Sequence, residues 1–350
     1  MDKNLIYLNE PIRLSACDAI RIRGRYSISN DCLAFDWTNS GFAFNFVGTG
    51  FIISLGPYIA DAPAYVRICI DGKDKRRYAV VNGSEKLIVE GLADKRHRIE
   101  VLKITEGEPK LKFDTLTLLG NGATLRNPPF NSSRRIEFIG DSITCGYGVL
   151  GLHTDPSYLT YQQDGTRGYA YLTAERFGAD ARFIAISGKG IVCNCNGDRS
   201  DIKAGEYYEM QSRTGGICED GWIADVVVIN IGTNDCGGPA PDDEFSEAAK
   251  DLIAKVRARY PEAQIVWMYG MMSQLYRDVL RDTIREVNKT DKNVHFLFVD
   301  TVFGNPAETG ANGHPNVRAG IRASNQLYKK IRSVTGWRKK AEITEEETEE

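Results

Sequence analysis

Short runs that alternate apolar and polar residues fill residues 1–125. These runs are rich in β-branched and aromatic residues, and turn residues separate them roughly every 8–12 positions, which is typical of β-strands. Residues 42–47 and 51–55 flank Gly48-Thr49-Gly50, which predicts a hairpin, and Asp71-Gly72 after residues 65–70 predicts another. Many short strands without a long helical segment predict an all-β sandwich of the jelly-roll type.

The pattern changes in the second half of the chain, where short apolar runs alternate with longer amphipathic segments. Such alternation predicts a mainly parallel sheet covered by helices on both faces. The predicted strands are residues 135–139, 182–187, 225–231, 264–269 and 294–299. The predicted helices are residues 167–177, 243–259, 277–288 and 316–333.

The segment of residues 120–129, which is rich in Gly, Asn and Pro, lies between the two patterns and marks a domain boundary near residue 125. We therefore predict a β-sandwich domain over residues 1–125 and an α/β domain over residues 126–338. Residues 339–350 are predicted to form an acidic, disordered tail, since residues 341–350 contain six Glu and no Lys or Arg.

Composition narrows the class of protein. Hydrophobic residues make up 42% of the chain and the net charge is −3, values that fit a globular protein without a basic surface for nucleic acid. No apolar run is long enough to span a membrane, and the N-terminus lacks the blocks of a signal peptide. These features predict a cytoplasmic location, although a secreted protein whose leader had been removed would have the same sequence. The eight cysteines are predicted to be free thiols, and with four scattered histidines we expect no metal site and no cofactor.

The first predicted parallel strand ends in Gly140-Asp141-Ser142. A tight turn at the end of a buried strand exposes its serine at the sheet edge, where a neighbouring base can activate the hydroxyl. The turn is not G-x-S-x-G, so it differs from the nucleophile elbow of α/β-hydrolases. Asp141 could tune this serine or bind N–H groups of its own turn.

Later loops supply complementary chemistry. The carboxyl ends of parallel strands share one edge of a sheet, so Gly188, Asn234 and His314 should converge on Ser142. His314 would act as the base. The N–H groups of Ser142 and Gly188 and the Asn234 amide would bind an oxyanion, while Asp235 would support the Asn234 loop.

Taken singly, each of these residues has a simpler explanation. Gly188 suits a tight turn, Asn234 a helix cap, and His314 a surface position before a helix that starts at Pro315. The coincidence of all of them at successive strand ends favours catalysis.

These motifs resemble the four blocks of the SGNH hydrolases, which are named for Ser, Gly, Asn and His and have a flavodoxin-like α/β/α fold. The β-rich half together with residues 103–106 and 136–148 is similar to carbohydrate esterase family 2. Members of that family join a jelly roll to an SGNH domain and remove O-acetyl groups from plant polysaccharides such as xylan and glucomannan. The resemblance implies a serine esterase that deacetylates acetylated oligo- or polysaccharides, with no nucleic-acid or membrane partner.

One departure from the superfamily pattern concerns the residue three positions before the histidine, which is usually Asp and here is Ala311. Family 2 esterases are described as Ser–His dyads in which a main-chain carbonyl orients the imidazole. The resemblance thus implies that Ser142 and His314 form a dyad and that the carbonyl of Asn312 accepts the Nδ1–H bond.

Aromatic residues near the predicted edge are candidate sugar contacts, with core packing as the alternative for each. They are Trp222, Tyr269 and Tyr276. Two other functions stay open on the sequence, namely a general GDSL-type lipase or thioesterase and a non-catalytic carbohydrate-binding protein. The sequence does not determine the oligomeric state.

Overall fold

The computed structural model describes residues 9–107, 109–130 and 132–338. The predicted tail over residues 339–350 and the first eight residues lie outside this part of the chain. Among the described residues, no helix is both long and apolar enough to cross a lipid bilayer.

Two antiparallel sheets form the N-terminal half. In chain order, the strands are β1 (Ile12–Arg13), β2 (Ile20–Arg23), β3 (Ser27–Ser29), β4 (Cys32–Phe35), β5 (Ser40–Gly48), β6 (Gly50–Leu55), β7 (Ala64–Ile70), β8 (Asp74–Val80), β9 (Lys86–Val89), β10 (Lys95–Lys103), β11 (Leu111–Leu119) and β12 (Thr124–Leu125). One sheet has the order β3-β4-β11-β6-β9 with β1 beside β11, and the other has the order β12-β5-β10-β7-β8 with β2 beside β5.

The two sheets face each other across a core of aromatic and aliphatic side chains. Phe44 of one sheet meets Phe51 of the other edge-to-face, with ring centroids 5.3 Å apart, and Phe42 meets Phe113 at the same distance. Such pairs add to the free energy gained by burying apolar surface. The predicted sandwich is therefore confirmed.

The hairpin predicted around Gly48-Thr49-Gly50 is wrong. β5 pairs with β10 while β6 pairs with β11, so these three residues carry the chain from one sheet to the other. The crossing is tight, because a Cβ atom at Gly48 would lie 2.6 Å from the Leu119 carbonyl oxygen. Alternation of apolar and polar residues predicts a β-strand but does not show which strands it pairs with. The second predicted hairpin, β7 with β8 around Asp71-Gly72, is confirmed.

The C-terminal half contains a parallel sheet in the order β14-β13-β17-β18-β19. Its elements, with a small hairpin of β15 and β16, are in chain order β13 (Arg135–Gly140), α1 (Ser142–Cys145), α2 (Tyr169–Phe177), β14 (Asp180–Ala185), α3 (Ala204–Tyr207), β15 (Met210–Ser212), β16 (Gly215–Ile217), β17 (Val226–Asn230), α4 (Asp242–Arg259), β18 (Gln264–Tyr269), α5 (Arg277–Val287), β19 (Val294–Phe298) and α6 (Val317–Thr335). All predicted strands and helices of this half are present, with ends shifted by at most two residues.

The parallel sheet is buried on both faces. Alternate residues of β17 enter different cores: Val226 and Val228 pack with α2 and α6, while Val227 and Ile229 pack with α4 and α5. Burial on both faces explains why these strands appear in the sequence as continuous apolar runs. The predicted α/β/α layers are confirmed.

The two halves contact each other through buried polar groups. Arg25 of the sandwich lies 3.1 Å from Glu137 of β13, and both side chains are fully buried. The same guanidinium donates to the carbonyl oxygens of Tyr208 and Met210, each at 2.6 Å. A second buried ion pair joins Arg67 to Asp164. The sandwich is thus fastened to the domain that carries the predicted site.

Candidate active site

The turn that presents Ser142 depends on a glycine. A Cβ atom at Gly140 would lie 1.9 Å from the Thr144 hydroxyl oxygen, so only glycine lets α1 fold back against the end of β13. Asp141 caps the helix by accepting the Ile143 N–H at 3.0 Å, as predicted for its own turn. Ser142 is the first helical residue, and its N–H has no carbonyl partner within its own helix.

Ser142 and His314 are in direct contact although 172 residues separate them in sequence. The Ser142 hydroxyl oxygen lies 2.8 Å from His314 Nε2, and His314 Nδ1 lies 3.0 Å from the Asn312 carbonyl oxygen. Since a carbonyl only accepts, Nδ1 carries the proton and Nε2 is free to accept the hydroxyl proton. This is the arrangement that the resemblance implied.

The backbone around Asn312 is held in an unusual conformation. Asn312 has φ 51° and ψ 37°, in the left-handed region that asparagine tolerates better than most residues. Its N–H donates to the Asp155 carbonyl oxygen at 2.8 Å, and the Ala311 N–H donates to that of Gly148 at 3.0 Å. Ala311 is fully buried, so the usual position of the triad carboxylate is filled by packed backbone and a methyl group.

An aromatic pair covers the imidazole. The Tyr147 ring lies 4.4 Å from the His314 ring and stacks on Tyr158 at 3.8 Å. Burial lowers the pKa of His314, while its hydrogen bond to Asn312 and the charge of Glu106 act in the opposite direction. Burial therefore keeps His314 neutral, as a general base requires.

The loop after β14 carries Gly188, which has φ +79°. Its N–H has no acceptor within the described residues, whereas its carbonyl oxygen accepts the Cys195 N–H at 2.9 Å. An N–H without a partner is the kind of donor that an oxyanion hole needs.

Asp235 fastens this same loop from below. Its Oδ1 accepts the N–H groups of Val192 and Cys193 at 2.7 and 2.9 Å, and its Oδ2 accepts that of Ile191 at 3.0 Å. Asp235 therefore braces the Gly188 loop directly, whereas the sequence predicted a bracing role for the Asn234 loop.

Asn234 reaches the predicted place but is already hydrogen-bonded. Its Nδ2 lies 2.9 Å from the Lys189 carbonyl oxygen and 3.2 Å from Asp141 Oδ2. An amide nitrogen has two hydrogens, so donation to an oxyanion would have to replace one of these contacts, of which the one to Asp141 is longer. Burial raises the pKa of Asp141 to about 7, against the effect of the Ile143 N–H.

The three aromatic sugar contacts predicted from sequence are wrong. Tyr269 and Tyr276 are buried in the core, where Tyr276 stacks on Phe245 with ring centroids 3.7 Å apart. Trp222 donates its indole N–H to Asp180, the first residue of β14, and so lies at the opposite edge of the sheet. Proximity in sequence to a strand does not show at which end, or on which face, a side chain lies.

A groove of about 540 Å³ lies next to the loops that carry Asn234 and His314. Thr233, which lines the groove, precedes Asn234. The Phe303 ring, which also lines it, faces Gly313, the residue before His314. Phe303 is 57% exposed, so its ring is accessible to a ligand. The full lining is Thr233, Cys236, Met272, Ser273, Gln274, Thr301 and Phe303.

Sequence reasoning missed Tyr147 and Glu106 as parts of this site. Tyr147 follows the serine motif closely, and an aromatic side chain so near a predicted nucleophile was the available signal. Glu106 belongs to the sandwich and accepts the Ser187 N–H at 3.0 Å, directly before Gly188. Its only sequence signal was its place in the segment that resembles family 2 esterases.

The cysteines and possible metal ligands give a simple result. All eight cysteines are free thiols, as predicted. Within the described residues, no group of three or more His, Cys, Asp or Glu side chains is arranged to hold a metal ion.

Comparison with known families agrees with this architecture. Residues 138–319 match the GDSL-like Lipase/Acylhydrolase family, and the chain belongs to that family. Residues 22–129 match the Carbohydrate esterase 2 N-terminal family, which confirms the resemblance predicted from the sequence.

Individual relatives are consistent with this assignment. The chain is 30% identical over 314 residues to the Cellulase/esterase CelE of Acetivibrio thermocellus, a match that covers 86% of this chain and 38% of that protein. It is 32% identical over 198 residues to an acetylxylan esterase / glucomannan deacetylase of Cellvibrio japonicus, covering 53% of each. This chain therefore spans about two fifths to one half of the length of these relatives.

A solved structure extends the comparison to both halves. A family two carbohydrate esterase from Clostridium thermocellum in complex with cellohexaose has a TM-score of 0.84 and 28% identity, covering 91% of this chain and 100% of that one.

Proposed function

We propose that this protein is a cofactor-free serine esterase that hydrolyses O-acetyl esters of carbohydrates through a Ser142–His314 dyad. The observation that carries the proposal is the 2.8 Å contact between the Ser142 hydroxyl and His314 Nε2, together with the Asn312 carbonyl that receives the Nδ1–H bond. A hydroxyl aligned with a neutral, oriented imidazole is the arrangement that nucleophilic acyl transfer needs.

In the first half-reaction, Ser142 Oγ attacks the acetyl carbonyl carbon while His314 Nε2 takes the hydroxyl proton. The N–H groups of Ser142 and Gly188 donate to the resulting oxyanion, joined by the Asn234 amide when it exchanges its longer bond to Asp141. The intermediate collapses, the C–O bond to the sugar breaks, and the sugar oxygen takes the proton from His314. The acetyl group stays on Ser142.

In the second half-reaction, His314 takes a proton from water, which attacks the acetyl-enzyme. The oxyanion forms again and collapses, which breaks the bond between the acetyl carbon and Ser142 Oγ. Ser142 recovers its proton from His314, and acetic acid leaves and ionises to acetate. The Asn312 carbonyl stabilises the imidazolium less than a carboxylate would, which suits esters with small acyl groups rather than amides.

Two observations support an acetylated sugar as the substrate. Relatives are named for acetylxylan and glucomannan deacetylation, and the groove next to the Asn234 and His314 loops offers the exposed Phe303 ring. An exposed aromatic face is a common surface for a sugar ring. We infer that the sugar lies in this groove and that the acetyl group points toward Ser142.

The decisive experiment measures acetate release from acetylated xylan, acetylated glucomannan and acetylated monosaccharides. Replacement of the nucleophile in such sites lowers kcat by as much as ~10⁶-fold, so Ser142→Ala should retain less than a few per cent of the wild-type rate with an unchanged melting temperature. Ser333→Ala, on the solvent side of α6, is the matched control and should behave like wild type.

The competing lipase or thioesterase function is tested with 4-nitrophenyl esters of increasing acyl length. For a carbohydrate O-acetylesterase, we expect 4-nitrophenyl acetate to be the best substrate of this series. Rates that rise with acyl length would favour the lipase, and substantial turnover by Ser142→Ala would remove Ser142 from the mechanism.

A further inference from the structure

Glu106 reaches from the sandwich into the catalytic domain. It follows β10, and its Oε2 accepts the Ser187 N–H at 3.0 Å while its Oε1 accepts the Ser187 hydroxyl. Arg213 Nη1 donates to the same carboxylate at 3.1 Å. The side chains of Glu106 and Arg213 are only 12% and 16% exposed, so this contact is largely shielded from solvent.

The residue that Glu106 holds is directly adjacent to the oxyanion loop. Ser187 and Gly188 share a peptide plane, and that plane carries the Gly188 N–H. The preceding peptide plane is held because its Ser187 N–H donates to Glu106, and the following plane is held because its Gly188 carbonyl oxygen accepts the Cys195 N–H at 2.9 Å. With both neighbouring planes held, rotation of the plane that carries the Gly188 N–H is restricted.

Glu106 also acts on the base of the dyad. Among charged side chains it has the largest effect on the pKa of His314, which it raises against the lowering caused by burial. Other titratable groups lie near the dyad: the Tyr147 ring packs against the imidazole and stacks on Tyr158, and Asp141 lies next to Ser142. In a triad, an aspartate at the position of Ala311 would provide a negative charge that favours the imidazolium.

We propose that Glu106 is a positioning residue through which the β-sandwich orients the Gly188 N–H of the oxyanion hole. This inference rests on the proposed esterase activity. It assigns the sandwich a part in the reaction itself, in addition to any role in holding glycan.

The test variant is Glu106→Gln, which keeps the shape but removes the charge and turns one acceptor into a donor facing Ser187 or Arg213. We expect kcat for 4-nitrophenyl acetate to fall about 10-fold or more while KM stays within about twofold, because a misplaced oxyanion donor affects the transition state. The pKa of His314, followed by NMR of the imidazole and assigned with His314→Gln, should move further down.

The matched control is Glu175→Gln. It breaks another ion pair between the halves, with Lys75 at 2.9 Å, in which both side chains are largely exposed. This variant should keep the wild-type kcat and the wild-type pKa of His314. A purely structural role for Glu106 would lower the melting temperature without moving the pKa of His314.

A second variant and a substrate-independent readout cover the remaining outcomes. Ser187→Ala removes only the hydroxyl contact and should lower kcat by about threefold, since the loop keeps its N–H bond to Glu106. The rate at which diisopropyl fluorophosphate modifies Ser142 also depends on the oxyanion donors. In both variants this rate should fall in parallel with kcat. If Glu106→Gln does not fold, Ser187→Ala decides.

The two proposals can fail separately. Wild-type protein that releases no acetate would sink the proposed function, and the rate of Ser142 modification in Glu106→Gln would still test the positioning role. If Glu106→Gln folds and keeps the wild-type kcat, Ser142 modification rate and His314 pKa, the inference is overturned.

Discussion

At the scale of single residues, Asn312 combines two properties that bear on the reaction. Its carbonyl oxygen binds His314, and its backbone lies in the left-handed region at φ 51°. The atom that binds His314 belongs to the main chain, while the side chain interacts with the Tyr147 phenol and determines which backbone conformation is tolerated. Asparagine and aspartate tolerate this region, whereas β-branched residues do not.

We therefore expect Asn312→Asp to keep most of the activity and Asn312→Val to lose it. The valine variant should also be destabilised by about 1–2 kcal/mol, the usual cost of a left-handed conformation. Steady-state kinetics and urea denaturation of both variants provide the check. An Asn312→Val protein with wild-type kcat would show that the carbonyl does not orient His314.

The pKa of His314 leads to a pH prediction. The neutral imidazole is the active form, so activity is present above this pKa and lost as the pH falls through it. Burial lowers the pKa of His314 below the ordinary 6.5. The pH at which half of the His314 imidazole is neutral, and at which activity is half-maximal, should therefore lie below 6.5. NMR titration of the four histidine rings measures the pKa directly, and a value above 6.5 would contradict the electrostatics of the site.

At the scale of elements, the loop after β14 is held by a buried carboxylate. Asp235 accepts the N–H groups of three successive residues, Ile191, Val192 and Cys193. Burial raises the pKa of Asp235, and those three hydrogen bonds act in the opposite direction. A neutral amide at this position would present a donor to at least one of the N–H groups.

Asp235→Asn should therefore lower the free energy of unfolding by about 1–3 kcal/mol, the cost of a buried donor without an acceptor. Activity should fall as well, because the same loop carries Gly188. Asp251→Asn, an exposed position within α4, is the control and should change neither property. A stable Asp235→Asn protein with full activity would show that the loop holds its shape without the carboxylate.

The sequence predicts which segments form strands better than it predicts how those strands pair. A strand of the parallel sheet such as β17 is buried on both faces, and its short apolar run between predicted helices indicates such a strand. The strands β5 and β6 alternate equally clearly, yet they lie in different sheets, because alternation reports burial and not pairing. Tyr269 was placed in the right strand but faces the core rather than the site.

At the scale of the whole molecule, the site was predictable where its residues came from one domain. Ser142, Gly188, Asn234 and His314 follow strand ends, and the rule that carboxyl ends meet at one edge brings them together. Glu106 obeys no such rule, since it comes from the sandwich and meets a residue 81 positions later in the chain. Contacts between domains depend on docking, which leaves little local trace in a sequence.

The buried pair of Arg25 and Glu137 provides a test of that docking. Removing one partner of a buried ion pair typically costs about 3–5 kcal/mol, because the other charge loses its compensation. We expect Arg25→Met to be destabilised by that amount, and Arg25→Met combined with Glu137→Leu to recover part of the loss. The recovery should be partial because the Tyr208 and Met210 carbonyls lose their donor in both variants.

Denaturant unfolding of the three proteins measures these differences. Arg13→Met removes an ion pair with Asp114 that is largely exposed, and it should cost less than about 1 kcal/mol. If Arg25→Met were as stable as Arg13→Met, the buried contact would not hold the two halves together.

Arg25 also bears on the order in which the chain folds. The sandwich leaves the ribosome first, before Glu137 and the carbonyls of Tyr208 and Met210 have been synthesised. Until then the guanidinium has no partner, and water must solvate it at a surface that later becomes interior. We therefore expect the nascent sandwich to form a separate intermediate with a hydrated Arg25. The two halves should dock only after β13 and the segment through Met210 have emerged.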